Sequence, residues 1–231
     1  SVVTSVSPVY VDRVSSYTKV RGELILNGFD EDILLNEKDQ KDLFFKKFTI
    51  VYNGSLYASQ PIEIFLRGFT KAVNSLNDKN IQVLFPGLAY NETQARRVKK
   101  GLIGYENYYK ITSRIPKQEV IKLQRKSHMM LMISHSNLKG IPSSKLYEYI
   151  GLKKRVMLCP SDGDIIEATL KDCNLGIICN TDQEVCRGIL EAVKNQISYE
   201  EMIKDTYQLM KIGQYSTKSQ TEQLSRVLSQ I

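Results

Sequence analysis

The chain predicts an α/β fold: a doubly wound, mostly parallel sheet followed by a helical C-terminal tail. Three observations carry that expectation. Strand-like apolar runs alternate with helical patterns about six times along the chain. Runs such as residues 48–52 (FTIVY) and 155–159 (RVMLC) are apolar almost throughout, as strands buried on both faces are. The last stretch, residues 199–231, reads as helix with a break at Gly213.

Composition narrows the function classes. A length of 231 residues suffices for one large domain, or a domain plus a fragment. Hydrophobic content of 42% and charged content of 25% are those of a soluble globular protein. No apolar run approaches the roughly 20 residues of a membrane span. The first residues, SVVTSVSPVY, have neither a basic n-region nor a long apolar core, so a signal peptide is not expected. They begin inside a strand-like stretch, as a piece cut from a longer protein would. The four cysteines, Cys159, Cys173, Cys179 and Cys186, form no CxxC pair. Cys159 and Cys179 end apolar strand-like runs and are expected to be buried free thiols of a reducing compartment. A net charge of +7 favours anionic partners: nucleotide phosphates, acidic headgroups or nucleic acid.

In order, residues 1–7 alternate as a strand, and Ser7-Pro8 opens a helix over residues 9–19. Leu24-Ile25-Leu26 is a short strand ended by the turn pair Asn27-Gly28. Residues 30–47 are polar and charged and read as a linker. Within them Asp30-Glu31-Asp32 reads as a solvated run rather than a metal cluster. Residues 48–52 form a buried-type strand leading into Asn53-Gly54-Ser55. Gln60-Pro61 then opens a long helix with Ile62, Phe65, Leu66, Phe69, Val73 and Leu76 at helical spacing. Further strands are expected at residues 81–85, 108–111, 128–134, 155–159 and 175–179. Helices are expected at 93–100, 116–126, 164–171 and 183–194. Ligands of such sheets sit beyond the carboxyl ends of the strands. That points to the loops at 54–55, 134–144 and 160–164.

The most informative stretch is residues 140–159, GIPSSKLYEYIGLKKRVMLC. A loop of small residues, Gly140 to Ser144, feeds a short covered helix and then a buried strand. Such a loop offers free N–H groups and the positive end of the helix dipole to an anion. Lys145 adds a charge, and Glu148, one turn on, adds an acceptor suited to sugar hydroxyls. The alternative is an ordinary helix start with Ser143 or Ser144 as N-cap.

Other residues point less sharply. His128 and His135 lack nearby acid or cysteine partners and read as structural, although His135 stands at the ligand end of its strand. Tyr105, Tyr108 and Tyr109 beside Arg96, Arg97, Lys99 and Lys100 could stack on bases. A solvated basic helix before a half-buried strand accounts for them as well. The dinucleotide fingerprint, the P-loop and the GxSxG elbow are all missing from the sequence.

The order of these pieces resembles the C-terminal half of a GT-B glycosyltransferase, close to glycosyltransferase family 4. The likeness rests on LILNGFD at residues 24–30, IVYNGSL at 50–56, the helix around 115–126, and the block at 140–159 with its Pro-x-x-Lys-x-x-Glu-Tyr order. It implies residues 1–32 as the remnant of a first, acceptor domain and 33–47 as a linker. Residues 48–198 would be the Rossmann-like nucleotide-sugar domain, and 199–231 helices crossing back to the first domain. Glu148 matches the second acid of the family's E-x7-E pattern, which holds the ribose. Ser143 and Ser144 match loop residues whose N–H groups face the diphosphate, and Gly54 the glycine that lets phosphates approach. The sequence also departs from the pattern. The first acid falls on Gly140, and the usual basic pair falls on Ser55 and Gln60, leaving Lys145 or Arg114 as substitutes. Asp162-Gly163-Asp164 looks like the DxD metal pair of another class of sugar transferase, but it precedes a helix and reads as an N-cap.

The resemblance implies a retaining, metal-independent hexosyltransferase without a cofactor, using a UDP- or GDP-sugar in polysaccharide or glycoconjugate synthesis. The acceptor would be a saccharide or lipid-linked, the site cytoplasmic and at the inner membrane face. Nucleic acid is not expected as a partner, and no catalytic residue is assigned. A nucleotide-sugar epimerase or hydrolase of the same fold, or a non-enzymatic basic binding module, remains the alternative.

Overall fold

Two parallel sheets organise the chain in a computed structural model that describes residues 1–33, 44–135, 138–195 and 206–230. The first is small. Strand β1 (Val2–Ser5), helix α1 (Pro8–Thr18) and strand β2 (Arg21–Leu24) form one parallel β-α-β unit, with Val2 opposite Arg21 and Ser5 opposite Leu24. Ser7 caps α1 by accepting from the Tyr10 N–H at 3.3 Å, and Pro8 takes the first helical position. The strand expected over residues 24–26 is therefore shifted to Arg21–Leu24. The reason lies in the C-terminal helix α9 (Thr217–Leu228; α8 follows below). Its Gln220 accepts from the Leu26 N–H at 2.8 Å, and its Gln223 donates to the Leu24 carbonyl at 3.0 Å. Leu24 still pairs with Ser5 and the Ile25 N–H still donates to the Ser5 carbonyl at 2.9 Å, but the Leu24 carbonyl and the Leu26 N–H are taken by that helix, so the ladder ends there.

The second sheet has 6 strands in the order β5-β4-β3-β6-β7-β8. They are β3 (Phe48–Val51), β4 (Ile81–Phe85), β5 (Tyr109–Ile111), β6 (Met129–Met132), β7 (Arg155–Leu158) and β8 (Gly176–Ile178). All pair in parallel. The chain winds outward from β3 to β5, returns beside β3 as β6, and winds outward again. The winding thus reverses between β3 and β6, the place where such sheets open a crevice.

Helices cover both faces, which is why the strands are continuous apolar runs. On one face lie α2 (Glu63–Ser75), α3 (Glu92–Gly101) and α7 (Asp182–Lys194), burying Phe65, Phe69, Val98, Val185 and Ile189. On the other lie α4 (Lys117–Lys126), α5 (Ser144–Gly151) and α6 (Ile165–Asp172), with Leu146, Tyr149, Ile150 and Leu170 in the core. The expected face of α2 is the buried one. Its helix begins at Glu63, not at 60–61, because Gln60 is committed elsewhere. The tail gives α8 (Thr206–Gly213) and α9, with the break at Gly213. Most of the linker expected at 33–47, and residues 199–205, lie outside the described residues. Tyr215 donates to Asp172 at 3.0 Å, tying the tail to α6.

Cys159, Cys173 and Cys179 are buried free thiols, pushed up to about 12 mainly by burial. Among the described residues no helix is long and apolar enough to cross a membrane.

His128 sits just before β6, between the rings of Phe44 and Phe48, each 5.0 Å away. Its Nδ1 accepts from the Thr49 N–H at 3.0 Å, so the imidazole is a structural acceptor in its neutral form. Burial, with Lys154 adding to it, lowers its pKa from 6.5 to about 4. The unfolded chain takes up this proton near pH 6.5 and the folded chain only near 4, so the unfolded state binds more protons between those values. Stability is complete above about pH 6.5 and is lost as pH falls toward 4. Urea midpoints should drop between pH 7 and 5 in the wild type, and far less in a His128→Gln variant. Equal pH slopes in the two would remove His128 from this role.

Candidate functional site

The site is built at the reversal between β3 and β6. After β3 the chain passes through Asn53-Gly54-Ser55, and Gly54 has φ +110, open to glycine but strained for any other residue. A Cβ there would collide with Nζ and Cε of Lys145, so the lysine lies directly over the Gly54 backbone. Lys145 is half-buried at the start of α5. Burial lowers its ammonium pKa, and the Glu148 carboxylate one turn on partly restores it. Ser143 occupies the N-cap position, yet its hydroxyl makes no capping bond, and Ser144 is exposed. The first turn of α5 therefore meets no capping side chain and keeps donors for another partner. Beneath it the fully buried Tyr149 meets the backbone of Asn53, and burial drives its phenol pKa well up.

The loop from Ser55 to Gln60 is held from below. The buried Gln60 donates to the Ile133 carbonyl at the end of β6 at 2.5 Å, and accepts from the Tyr57 N–H at 2.9 Å and the Tyr52 hydroxyl at 3.3 Å. Tyr52 also donates to the Ser55 carbonyl at 2.9 Å. The position where the resemblance expects a cation is thus turned into the protein. Arg97 closes the same loop from α3. It pairs with Glu63 and donates to the carbonyls of Gln60 at 2.8 Å and Tyr57 at 3.3 Å. Arg96 lies 3.8 Å from Glu92. The basic face expected over residues 96–100 is thereby reduced, because Arg97 works as an internal clamp.

A cavity of about 150 Å³ opens beside Gly54. Asn53, Gly54 and Ser55 form one wall; Pro86, Gly87, Leu88, Tyr90 and Asn91, after β4, form the second; Arg114, Ile115 and Val120, after β5, form the third. The Arg114 guanidinium stacks on Tyr90, 3.6 Å from the ring centroid. Of the three loops expected to border the crevice, only 54–55 lines this cavity. The loop after β4 was not among them, although Pro86-Gly87 at the end of an apolar run is a readable sign. Ser143, Ser144, Lys145 and Glu148 are not in the lining; Lys145 adjoins it through Gly54.

Gly140 stands apart. Its N–H donates to the Asp164 carboxylate at 2.5 Å, and a Cβ on it would lie 2.8 Å from Val9 Cβ and 2.9 Å from Ser7 Oγ. It packs against the start of α1, and its φ of +71 favours glycine. The N-cap expected at Asp162-Gly163-Asp164 is present and is supplied by the Asp162 carboxylate. Asp164 holds the N-cap position, but its carboxylate goes to Gly140. Asp162 accepts from the N–H groups of Ile166 at 2.9 Å and Glu167 at 3.0 Å. Both acids of the DxD-like pair are therefore occupied within the fold.

No protein-family model matches the sequence, and no curated protein matches it. Solved structures do. A glycosyltransferase from Rickettsia africae ESF-5 superposes with a TM-score of 0.73 at 15% identity over 97% of this chain and 62% of its own. HepE of Anabaena in complex with UDP-glucose gives 0.74 at 14% identity over 100% of this chain and 64% of its own. A UDP-forming α,α-trehalose-phosphate synthase from Burkholderia vietnamiensis gives 0.70 at 9% identity, over 100% and 59%. These neighbours are GT-B glycosyltransferases, and at such identities the likeness is one of fold. The chain spans about three-fifths of their length.

Proposed function

We propose that this chain is the donor-binding part of a glycosyltransferase of the family 4 type, holding a nucleotide-diphosphate sugar at the β3–β6 reversal. One observation carries this: Lys145 lies across Gly54 beside an uncapped helix start, next to a small cavity walled by Tyr90 and Arg114. About 150 Å³ is well below the roughly 300–1,000 Å³ that takes a drug-sized ligand whole. It suits one ring, the nucleobase. From there the ribose and diphosphate run over Gly54 toward Lys145 and the first turn of α5, where N–H groups and a charge meet phosphate oxygens. Glu148 is the acceptor for the ribose hydroxyls.

Sugar transfer breaks the anomeric C–O bond, and the bonding pair leaves with the diphosphate. Donors already aimed at that oxygen stabilise the growing negative charge, each by about 3 kcal/mol. The proposed reaction retains the anomeric configuration, needs no metal, and moves a hexose to a saccharide or lipid-linked acceptor for polysaccharide or glycoconjugate synthesis. The resemblance assigns the acceptor side to a first domain of which residues 1–32 would be a remnant, so the chain alone is expected to bind donor and transfer nothing.

Calorimetric titration with UDP, GDP and ADP tests the proposal. One of them should bind with a Kd below about 1 mM. Lys145→Ala and Glu148→Ala should each weaken it about tenfold or more. Affinities equal to wild type in both variants would sink the assignment.

A further inference from the structure

We propose that His135, oriented by Ser59, is a second ligand of the distal phosphate of the bound nucleotide diphosphate. The inference rests on the donor-site reading above.

His135 follows β6 by three positions and reaches back to the loop after β3. Its Nδ1 is 2.7 Å from Ser59 Oγ, and the Tyr57 ring lies 5.6 Å from the imidazole. The loop it touches is the one that Gln60 and Arg97 hold in place. Nδ1 is committed to Ser59, and Nε2 makes no hydrogen bond to a described residue. The imidazole is therefore set by one nitrogen and offers the other.

Charge decides what it would meet. From Gly54 to Gln60 the loop, GSLYASQ, carries no ionisable cation. Lys145 grips its Gly54 end and His135 its Ser59 end. A diphosphate crossing this loop carries at least two negative charges; Lys145 meets it at the Gly54 end, while Arg97, which also reaches the loop, is engaged by Glu63 and the Gln60 and Tyr57 carbonyls. An imidazole N–H at the other end supplies the charge-assisted donor that the phosphate oxygens still need. The competing uses of such a pair fit less well. Among the described residues no group of three or more His, Cys, Asp or Glu side chains could hold a metal. A nucleophilic serine would need its base oriented by a further group, and Nε2 has none.

The test titrates the full chain with whichever of UDP, GDP and ADP binds it, and with the corresponding monophosphate. His135→Ala should weaken the diphosphate about ten- to hundredfold and the monophosphate less than about threefold. Ser59→Ala should show the same split at a smaller size, about threefold. His135→Gln, which keeps an N–H donor, should recover part of the loss. If both ligands weaken in parallel in His135→Ala, the residue is structural and the proposal fails. If wild-type binding persists unchanged in His135→Ala, this proposal alone fails. If no diphosphate binds the wild type, the donor-site reading and this inference fall together.

Discussion

Replacing Gly54 with valine is expected to lower nucleoside diphosphate affinity by about a hundredfold while the fold survives. Two costs combine at that residue. The φ of +110 lies where a β-branched residue is strained, by about 1–3 kcal/mol. The added side chain also claims the space of the Lys145 ammonium. Lys145 is long and can swing away, so the collision is relieved by removing the lysine from the site rather than by unfolding. A lost charge-assisted contact is worth about 1.5–3 kcal/mol, which is ten- to more than a hundredfold in affinity. The double variant separates the two costs. Once Lys145 is alanine, Gly54→Val should cost little further affinity, because both changes remove the same contact. Binding in Gly54→Val within about threefold of wild type would show that the lysine takes no part.

Parallel strands covered on both faces leave continuous apolar runs, so β3, β6 and β7 could be read directly from residues 48–51, 129–132 and 155–158. The small-residue loop before α5 was legible for a similar local reason. The wall of the cavity after β4 was not. Tyr90 ends a short 3₁₀ turn, Leu88–Tyr90, after β4, where neither helical nor strand periodicity marks a residue as important, and Asn91 follows it as the N-cap of α3. Gln60 before Pro61 looks like a solvated helix start, and only the return of β6 beside β3 brings the Ile133 carbonyl to it. Arg97 looks like one cation among four in its helix until α2 supplies Glu63. Burial and pairing of polar side chains depend on which elements become neighbours. No window of sequence contains that information.

The same dependence makes Gln60 the sharpest position to change. Gln60→Leu removes the partner of the Ile133 carbonyl and of the Tyr57 N–H, while Tyr52 keeps the Ser55 carbonyl. A buried polar group left unpaired costs about 1–3 kcal/mol, so the variant should lose about 3 kcal/mol in urea unfolding. The freed loop should bind nucleotide more weakly as well. Gln60→Lys is the more telling change, because it restores the cation that the glycosyltransferase resemblance expects. At 7% exposure the new ammonium would be buried beside a carbonyl and an N–H that repels it. Gln60→Lys should therefore destabilise the chain without improving diphosphate affinity. A gain in affinity would mean that this side chain reaches the phosphates after all. In that case the inward turn of the loop, and with it the part given to Lys145 and His135, would have to be abandoned.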